Sequence, residues 1–389
     1  MNWKKYLKPI LSHTLAALIA VVITLLVVLS GVTDGKSKLA ELKNLIDKRY
    51  IEDVDWEAVE DAAASAMVDA LGDRWSYYLS AEEYVTHMEQ TNNAFVGVGI
   101  TITARTDKQG MDVAAVTEGG PAAEAGILPG DVLTAIDGKS IVGMDAAKVR
   151  DLVRGEEGTD VTLTVLREGQ EYSYTVTRKY IETPVATGKL LENNIGLVTI
   201  ENFDARCASE TIAAIESLLA QGAEKLIFDV RYNPGGYKHE LVEVLDYLLP
   251  EGVLFRSEYY DGSTTTDKSD AKCLDIPMAV LVNSESYSAA EFFAAALSEY
   301  EAAVVVGEKT TGKGYFQSVF QLSDGSAVGL SIGKYYTPKN NISLEGVGIN
   351  PNVTVEIKNN EIAEKIYFGT LDPMEDPQIL AAIAVLQGQ

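Results

Sequence analysis

The sequence predicts an α/β protein of several domains, and three changes of pattern along the chain indicate this class. Residues 36–88 repeat apolar side chains at helical spacing, residues 95–180 contain short strands punctuated by glycine, and beyond residue 181 apolar strands alternate with helices. Strands that alternate with helices require right-handed crossovers, and therefore a sheet with at least a parallel portion. A chain of 389 residues is long enough for two or three domains with separate cores.

The composition excludes several classes of protein. A formal net charge of −25 argues against binding of nucleic acid, because phosphate backbones require a positive surface. The sequence contains no metal-ligand motif, so we expect neither a metal nor another cofactor. The only two cysteines, Cys207 and Cys273, could pair in an oxidising compartment, but their spacing does not decide this.

The N-terminal segment has the pattern of a membrane anchor. Three lysines among the first eight residues precede an apolar run from Ile10 to about Val32. Such a run has roughly the 20 residues that span a bilayer core, and the lysines predict a cytoplasmic stub. A cleaved signal peptide is the alternative, but the run is long for one and no clear small-x-small site precedes Asp34. We therefore expect residues 1–33 to be a single-pass anchor in the cell membrane, with the rest extracytoplasmic.

Residues 34–94 are predicted to form a helical arm. Leucine and isoleucine side chains between positions 39 and 46 repeat at helical spacing, and a second periodic run ends before Gly72. The aromatic-rich segment 73–84, DRWSYYLSAEEY, follows. We expect this segment to be a packing hub for the arm rather than a binding site.

Residues 95–180 are predicted to form a small domain of short strands and two helices. The local signals are a Pro and a Gly at the two ends of a helix, an Asp-Gly hairpin turn and an acidic helix cap. The predicted elements are strands at 97–103 and 111–116, a helix from Pro121 to Gly126, a hairpin at Asp137-Gly138, a helix from Asp145 through Val153 and a strand at 161–168.

Residues 181–358 carry the alternation of strands and helices, and residues 359–389 add a short C-terminal helical segment. The turn Tyr232-Asn-Pro-Gly-Gly236 follows one of these strands, at the end where such sheets place their sites. The predicted elements are strands at 195–200, 225–231, 278–282 and 304–306, helices at 209–219, 239–249, 289–300 and 376–387, and closing strands within 328–355.

Candidate chemistry lies between Met278 and Phe320. Ser288 occupies a turn from strand to helix, where the N–H groups of the first helical turn form part of an anion site. Lys313 follows the next strand, and a lysine can serve as the base if burial leaves it neutral. Gln317 shares a face with Lys313 if the segment is extended, and could hold its amine. The segment from Ser288 to Glu291 is also a capping box, which by itself favours a structural role.

The stretches VNSESYSAAEFFAAAL and VVVGEKTTGKGYFQ resemble the active-site block of the carboxy-terminal processing peptidases, or tail-specific proteases. The resemblance implies a ClpP/crotonase-like α/β protease core in which Ser288, Lys313 and Gln317 carry the catalysis. Tyr287 and Ala290 depart from the family pattern, which has small residues and a second serine there. These departures affect the expected shape of the substrate pocket more than the chemistry.

A second stretch, FDVRYNPGG, resembles the other signature of this family. The resemblance implies that Gly235 or Gly236 supplies one N–H of an oxyanion hole, and that Ala289 supplies the other. Glycines also let the backbone approach a ligand closely, so the turn suits this role on physical grounds.

GGPAAEAGILPGD resembles part of a PDZ domain, in the circularly shifted arrangement of bacterial proteases. The resemblance places Val98, Gly99 and Ile100 in the carboxylate-binding loop, where successive N–H groups capture the end of a peptide that adds as a strand. Val149 is expected to face the groove and meet an apolar terminal side chain. Arg154 follows the second helix, and the resemblance allows it to relay peptide occupancy to the catalytic site.

Together these features predict a membrane-anchored extracytoplasmic serine endopeptidase. Its PDZ domain would recognise exposed protein C-termini, and its helical terminal segments could form a homodimer, as the family's arm can. The expected divisions of the chain are the anchor at 1–33, the arm at 34–94, the PDZ domain at 95–180, the protease core at 181–358 and the C-terminal helical segment at 359–389.

Other readings remain open. A peptide-binding scaffold with an inactive protease core is one, because the bulky Tyr287 could block the nucleophile. A triad of Ser288, His239 and an aspartate is another, because His239 follows the glycine turn. Two further pairs have the S-x-x-K spacing of penicillin-recognising enzymes, but neither is predicted on a helix: Ser269 with Lys272, and Ser331 with Lys334.

Overall fold

The computed structural model describes residues 37–107 and 109–388. The predicted anchor lies outside the described residues, and no helix among the residues that are described is long and apolar enough to cross a membrane. The chain divides into two compact units, Met1–Met67 and Val68–Gln389.

The described part of the first unit is helical, as predicted. Helix α1 (Lys38–Arg49) begins at Ser37, whose hydroxyl accepts a hydrogen bond from the Ala40 N–H at 3.1 Å. Helix α2 (Trp56–Asp69) follows, and the Lys43 ammonium lies 4.8 Å from the centre of the Trp56 ring. Neither helix contains a buried residue, so the apolar side chains of α1 remain about half exposed.

The helical pattern does not continue to residue 88 as the sequence predicted. Strand β1 (Tyr77–Leu79) interrupts it before helix α3 (Ala81–Thr91) begins. Ser80 and Glu83 form a reciprocal capping box at the start of α3. The strand forms because β1 pairs with a strand more than two hundred residues away, a long-range contact that overrides local helix propensity.

The next segment forms a twisted antiparallel sheet with two short helices. Gly126 ends the first helix in the left-handed conformation (φ 97°), and Asp145 caps the second through the Lys148 N–H at 2.9 Å. The other predicted elements are confirmed here, but the strand expected at 97–103 begins only at Ile100. The bounds are β2 Ala94–Gly97, β3 Ile100–Ala104, β4 Met111–Val116, α4 Pro121–Ala125, β5 Val132–Ile136, β6 Lys139–Ser140, α5 Ala146–Val153, β7 Asp160–Arg167, β8 Gln170–Thr177 and β9 Lys179–Glu182.

The topology of this segment leaves β3 at an edge. Its sheet has the order β3-β4-β5-β7-β8, with β6 paired to β5, while β2 pairs antiparallel with β9. Thirteen of the apolar residues between the sheet and its helices are less than a tenth exposed and belong to one core with Val149. The β2–β9 pair joins the beginning and the end of the segment, so it forms a compact insertion.

The remaining residues form two further sheets with helices. Their bounds are β10 Ala186–Leu191, β11 Ile195–Ile200, α6 Cys207–Ala220, β12 Lys225–Asp229, α7 Lys238–Leu248, β13 Gly252–Tyr259, β14 Thr264–Ser269, β15 Met278–Val282, α8 Ala289–Glu299, β16 Ala303–Gly307, β17 Tyr315–Gln321, β18 Ala327–Tyr336, β19 Val353–Thr354, α9 Asn360–Tyr367 and α10 Pro377–Gln387.

The central sheet has the order β10-β11-β12-β15-β16-β19 and is parallel from β11 onward. Side chains alternate across it: Val198 and Ile200 pack with α6, α7 and α8, whereas Ile195 and Leu197 pack against α10. Every residue of β15 is buried, which is why its sequence is an unbroken apolar run. The α/β class and the parallel portion predicted from the sequence are confirmed.

Strand β18 organises the second sheet of this region. It pairs with β17, β13 and β1, and β13 pairs in turn with β14. The carboxyl ends of β12, β15 and β16 meet at one edge of the central sheet, which is where parallel sheets place ligands.

A buried ion cluster holds α10 at that edge. The Arg231 guanidinium lies 2.5 Å from Asp229 and 2.8 Å from Asp376, and it also donates to the side-chain amide oxygen of Gln378 at 2.9 Å. Arg231 and Asp376 side chains are only 4% and 3% exposed. Burial lowers the pKa of Arg231, but the two carboxylates raise it further, so the cation is retained. The cluster therefore connects the turn after β12 to the start of the C-terminal helix.

We expect Arg231→Met to destabilise the full chain by about 3–5 kcal/mol, because two buried carboxylates lose their counter-ion. Thermal and urea unfolding would measure the loss. Arg150→Met is the matched control: that guanidinium is 43% exposed and pairs with its neighbour Asp151, so a change within about 0.5 kcal/mol is expected. Equal effects of the two substitutions would contradict a stabilising role for the cluster.

Candidate active site

Ser288 lies between β15 and α8 in a strained backbone conformation. Its φ of 57° and ψ of −123° are unfavourable for a residue with a Cβ, and such strain concentrates at functional sites. The side chain is buried. The capping box predicted from Ser288 to Glu291 is present, and in its Glu291 half the Ser288 N–H donates to the carboxylate at 3.0 Å. The capping box therefore fixes the turn at the start of α8.

The fully buried Glu291 carboxylate joins this turn to the Gly-Lys-Gly loop. One oxygen accepts from the Thr310 hydroxyl at 2.5 Å and the Gly312 N–H at 2.7 Å. The other accepts from the N–H of Lys313 at 2.8 Å as well as from Ser288. Burial raises the pKa of Glu291, while these four donors lower it. An ionised carboxylate only accepts hydrogen bonds, so it can satisfy all four donors. By doing so it brings the main chain of Ser288 close to that of Lys313.

The side chain of Lys313 is largely buried beside two aromatic rings. Its Nζ lies 5.0 Å from the centre of the Trp75 ring and 5.6 Å from that of Tyr287. Within the described residues, this nitrogen makes no hydrogen bond and no ion pair. Burial lowers the pKa of Lys313, against the opposing effect of the carboxylates of Glu345 and Asp73. The amine therefore becomes neutral at a lower pH than an ordinary lysine.

Trp75 was not predicted to belong to a site. Its indole N–H donates to the two carboxylate oxygens of Glu345 at 2.9 and 3.1 Å, and the same carboxylate accepts the Gly314 N–H at 2.8 Å. For Trp75 the prediction of a packing hub within the helical arm is therefore wrong, whereas Tyr77 of the same segment does pack on His87 of α3. The only signal in the sequence was the density of aromatic residues, which does not specify their partners.

Gln317 does not contact the Lys313 amine in this structure. Its amide donates to the Ser331 hydroxyl at 3.0 Å and to the Tyr315 carbonyl at 3.3 Å. The predicted contact assumed an extended chain from 313 to 317, but β17 begins at Tyr315 and its register shifts between Phe316 and Gln317. The alternation of side chains is interrupted there, which turns the amide toward β18.

The glycine turn after β12 packs directly against Ser288. A Cβ on Gly235 would lie 2.7 Å from the Ser288 Cβ, so only glycine permits this approach. The Gly235 N–H donates to the Asn233 side chain at 2.8 Å, whereas the N–H groups of Gly236 and Ala289 have no protein partner among the described residues. Of the two glycines that the sequence left open, Gly236 thus has the available donor.

A groove of about 470 Å³ runs beside β3 and includes the predicted loop residues Val98, Gly99 and Ile100. The N–H groups of Val98 and Gly99 have no protein partner within the described residues. Ile100 stands opposite Val116 in β4, and the Thr117 N–H donates to the Gly99 carbonyl. In an antiparallel ladder this makes Ile100 and Val116 a non-hydrogen-bonded pair, so the Ile100 N–H points to the free edge of β3. This edge can accept an additional strand.

Val149 does not line the groove. Its side chain is fully buried in the core of this segment, and Ala146, Arg150 and Val153 present the groove-facing side of α5 instead. The prediction for Val149 is wrong because one residue step along a helix rotates the side chain by about 100°. Arg154 also lines the groove and forms an ion pair with Glu89 of α3 at 2.7 Å.

Comparison with known proteins decides the family. A family model described as peptidase family S41 matches residues 194–355, and a PDZ domain model matches residues 113–167. A protein of Staphylococcus epidermidis named "Probable CtpA-like serine protease" is 31% identical over 351 residues, which cover 88% of this chain and 71% of that protein. The chain belongs to peptidase family S41.

Other relatives agree with this assignment. A protein of the same name from Staphylococcus aureus (strain N315) is 32% identical over 324 residues, covering 82% of this chain. This chain spans 64% of the length of that relative. The crystal structure of a candidate S41 protease from Bacteroides fragilis matches 76% of this chain and 83% of its own at 19% identity, with a TM-score of 0.51, which concerns the fold alone.

The competing nucleophiles of this S41 chain are not assembled into sites. The His239 side chain is 72% exposed, stacks on Tyr237 and approaches Glu240 at 3.6 Å, with no hydrogen bond to Ser288 among the described residues. Ser331 and Lys334 both lie in strand β18, and Ser269 ends strand β14. As predicted, neither S-x-x-K pair occupies a helix.

We expect Glu291→Gln to loosen the Gly-Lys-Gly loop of this S41 chain. The glutamine NH2 group would face N–H groups that now donate to the carboxylate, so two donors would oppose each other. We expect this to cost about 1–3 kcal/mol of stability. Hydrogen exchange of the Gly312 and Lys313 amides should accelerate by at least ~10-fold. Glu285→Gln, a nearby exposed carboxylate, is the control and should leave both amides unchanged. Unchanged exchange in the Glu291 variant would contradict its linking role.

Proposed function

We propose that this S41 chain is a membrane-anchored extracytoplasmic endopeptidase of the Ser/Lys type that selects substrates by their C-termini. The observation that carries the proposal is the shared Glu291 carboxylate, which accepts from the main chain of both Ser288 and Lys313. It brings the turn that carries the Ser288 hydroxyl together with a lysine whose amine has no counter-ion within the described residues.

The proposed reaction begins at Ser288. Its hydroxyl oxygen attacks the scissile carbonyl carbon, and neutral Lys313 takes the hydroxyl proton. The carbonyl oxygen becomes an oxyanion, which the N–H groups of Ala289 and Gly236 stabilise. The Lys313 ammonium then donates its proton to the leaving amine as the peptide bond breaks, which leaves an acyl ester on Ser288.

Water completes the cycle. Neutral Lys313 removes a proton from a water molecule that attacks the ester carbonyl, and the ammonium returns that proton to the Ser288 oxygen as the ester breaks. The products are an amine and a carboxylic acid, and both side chains regain their initial states. Gln317 contributes to orienting Lys313 only if its amide leaves Ser331, because that is its partner in this structure.

Substrate choice is assigned to the PDZ groove. The unpartnered N–H groups of Val98 and Gly99 suit a terminal carboxylate, and the outward N–H of Ile100 suits an added strand. The groove side of α5 is formed by Ala146, Val153 and the stem of Arg150, which supports an apolar terminal side chain. The Arg154–Glu89 ion pair offers a route by which occupancy of the groove affects α3.

The location and assembly of the enzyme rest on the sequence. The apolar run of the N-terminal segment supports an anchor in the cell membrane, with the catalytic part outside. The half-exposed leucines of α1 support a homodimer through the terminal helices. An inactive peptide-binding scaffold is the second candidate, since Tyr287 stands next to the nucleophile, but its ring stacks on Trp75 at 6.3 Å.

We expect Ser288→Ala and Lys313→Arg each to lower cleavage of a loosely folded protein at least ~10³-fold, while thermal unfolding stays unchanged. Arginine keeps the charge and length but cannot become neutral, so it cannot accept the proton. Lys309→Arg is the matched control on the exposed part of the same loop and should retain activity. Full activity of the Lys313→Arg protein would reject the assignment of the base.

The pH dependence follows from the same group. Protonation removes the base, so kcat/KM should fall as the pH drops through the pKa of Lys313, with an inflection below its ordinary value of 10.5 because burial disfavours the cation. An inflection that disappears in His239→Ala would instead support the triad.

Peptide binding tests the groove. A peptide with an apolar C-terminal residue should bind the full-length Ser288→Ala protein at least ~10-fold more tightly as a free acid than as a C-terminal carboxamide, because the amide loses charge-assisted hydrogen bonds from the loop. Fluorescence anisotropy of labelled peptides measures both. Equal affinities would contradict recognition of the C-terminus.

A further inference from the structure

The surroundings of the Lys313 amine differ from those of most buried lysines. Buried ammonium groups are usually paired with a carboxylate. Here the described part of the chain offers Nζ no ion pair and no hydrogen bond, and its recorded contacts are the faces of Trp75 and Tyr287. The two rings stack on each other at 6.3 Å with an interplanar angle of 21°. We call these two rings the aromatic clamp.

Each ring of the clamp is fixed to a different part of the active site. The indole N–H of Trp75 binds Glu345, and that carboxylate also accepts the N–H of Gly314, the residue after the lysine. Tyr287 precedes Ser288, and its N–H donates to the Asn233 carbonyl in the glycine turn at 3.1 Å. The clamp therefore spans from the lysine loop to the turn that carries the serine.

We propose that the aromatic clamp excludes water from the Lys313 amine, and that Trp75, held by Glu345, is a positioning residue for the base. This inference rests on the proposed function, because it assigns a role to Trp75 only if Lys313 accepts the proton. Trp75 touches the lysine and acts through it.

Two opposing effects of the rings decide what their removal does. An aromatic face attracts a cation, which favours the charged amine, whereas exclusion of water disfavours it. Carboxylates of Glu345, Asp73 and Glu291 also favour the charged form, and the Arg74 cation disfavours it. Burial is the largest of these influences on the pKa of Lys313, and it lowers that pKa. Loss of a ring that keeps water away should therefore raise it.

The test is the pH profile of kcat/KM for three substitutions of Trp75 in the full chain. Trp75→Ala opens the site to water. The acid limb of its profile, where kcat/KM falls because Lys313 becomes protonated, should move to higher pH by about one unit, with activity regained in alkaline buffer. Trp75→Leu retains apolar bulk and should shift less than the alanine variant. Trp75→Phe keeps a ring without the indole N–H and should rescue most of the alkaline shift.

The control repeats the substitution at another contact between tryptophan and lysine. Trp56 lies over Lys43 in the first unit, so Trp56→Ala should leave the acid limb unchanged. Thermal unfolding of each variant checks the fold. A loss of activity that alkaline buffer restores is not the result of unfolding.

Two outcomes would overturn the inference. If the acid limb of the pH profile is unchanged in Trp75→Ala, the ring has no role in excluding water. If the acid limb moves to lower pH in both the alanine and the leucine variants, the ring stabilises the ammonium cation instead. The Lys313→Arg variant distinguishes failure of the clamp from failure of the proposed function. If that variant is inactive while Trp75→Ala keeps the wild-type profile, only the clamp fails; if it is active, the base itself is wrongly assigned.

Discussion

The buried carboxylate of Glu291 is the interaction on which the active-site geometry depends. In a site without water, a carboxylate needs several donors to offset its loss of hydration, and here it takes them from α8's first turn and from the loop after β16. The same bonds that satisfy Glu291 bring Ser288 to Lys313. The stability of the buried charge and the placement of the two proposed catalytic residues are therefore one constraint.

The sheet supplies the rest of the frame. Its parallel strands deliver the glycine turn, the serine turn and the lysine loop to one edge, and the cluster around Arg231 attaches the C-terminal helix there. Gly235 then allows the glycine turn to approach Ser288 closely, as the proposed oxyanion site requires. Strain at Ser288 is tolerated because the packing on both sides of the turn over-determines it.

Local signals in the sequence predicted the regular elements well. The caps, the Asp-Gly hairpin and the unbroken apolar run of β15 each depend on residues close together in the chain, and all are found in the structure. Local pattern together with family resemblance points to Ser288 and Lys313. The strand at Tyr77–Leu79 was missed because its partner, β18, is remote in sequence.

Side-chain directions and distant contacts depended on the tertiary structure. A register shift in β17 turns Gln317 toward Ser331, one helical step buries Val149, and folding brings Trp75 to a lysine on a loop far along the chain. The sequence by itself determined which segments become strands, helices and turns, because those preferences act over a few residues. Only the tertiary structure decided which groups surround the amine, because desolvation is a property of everything packed around a group and not of its neighbours in sequence.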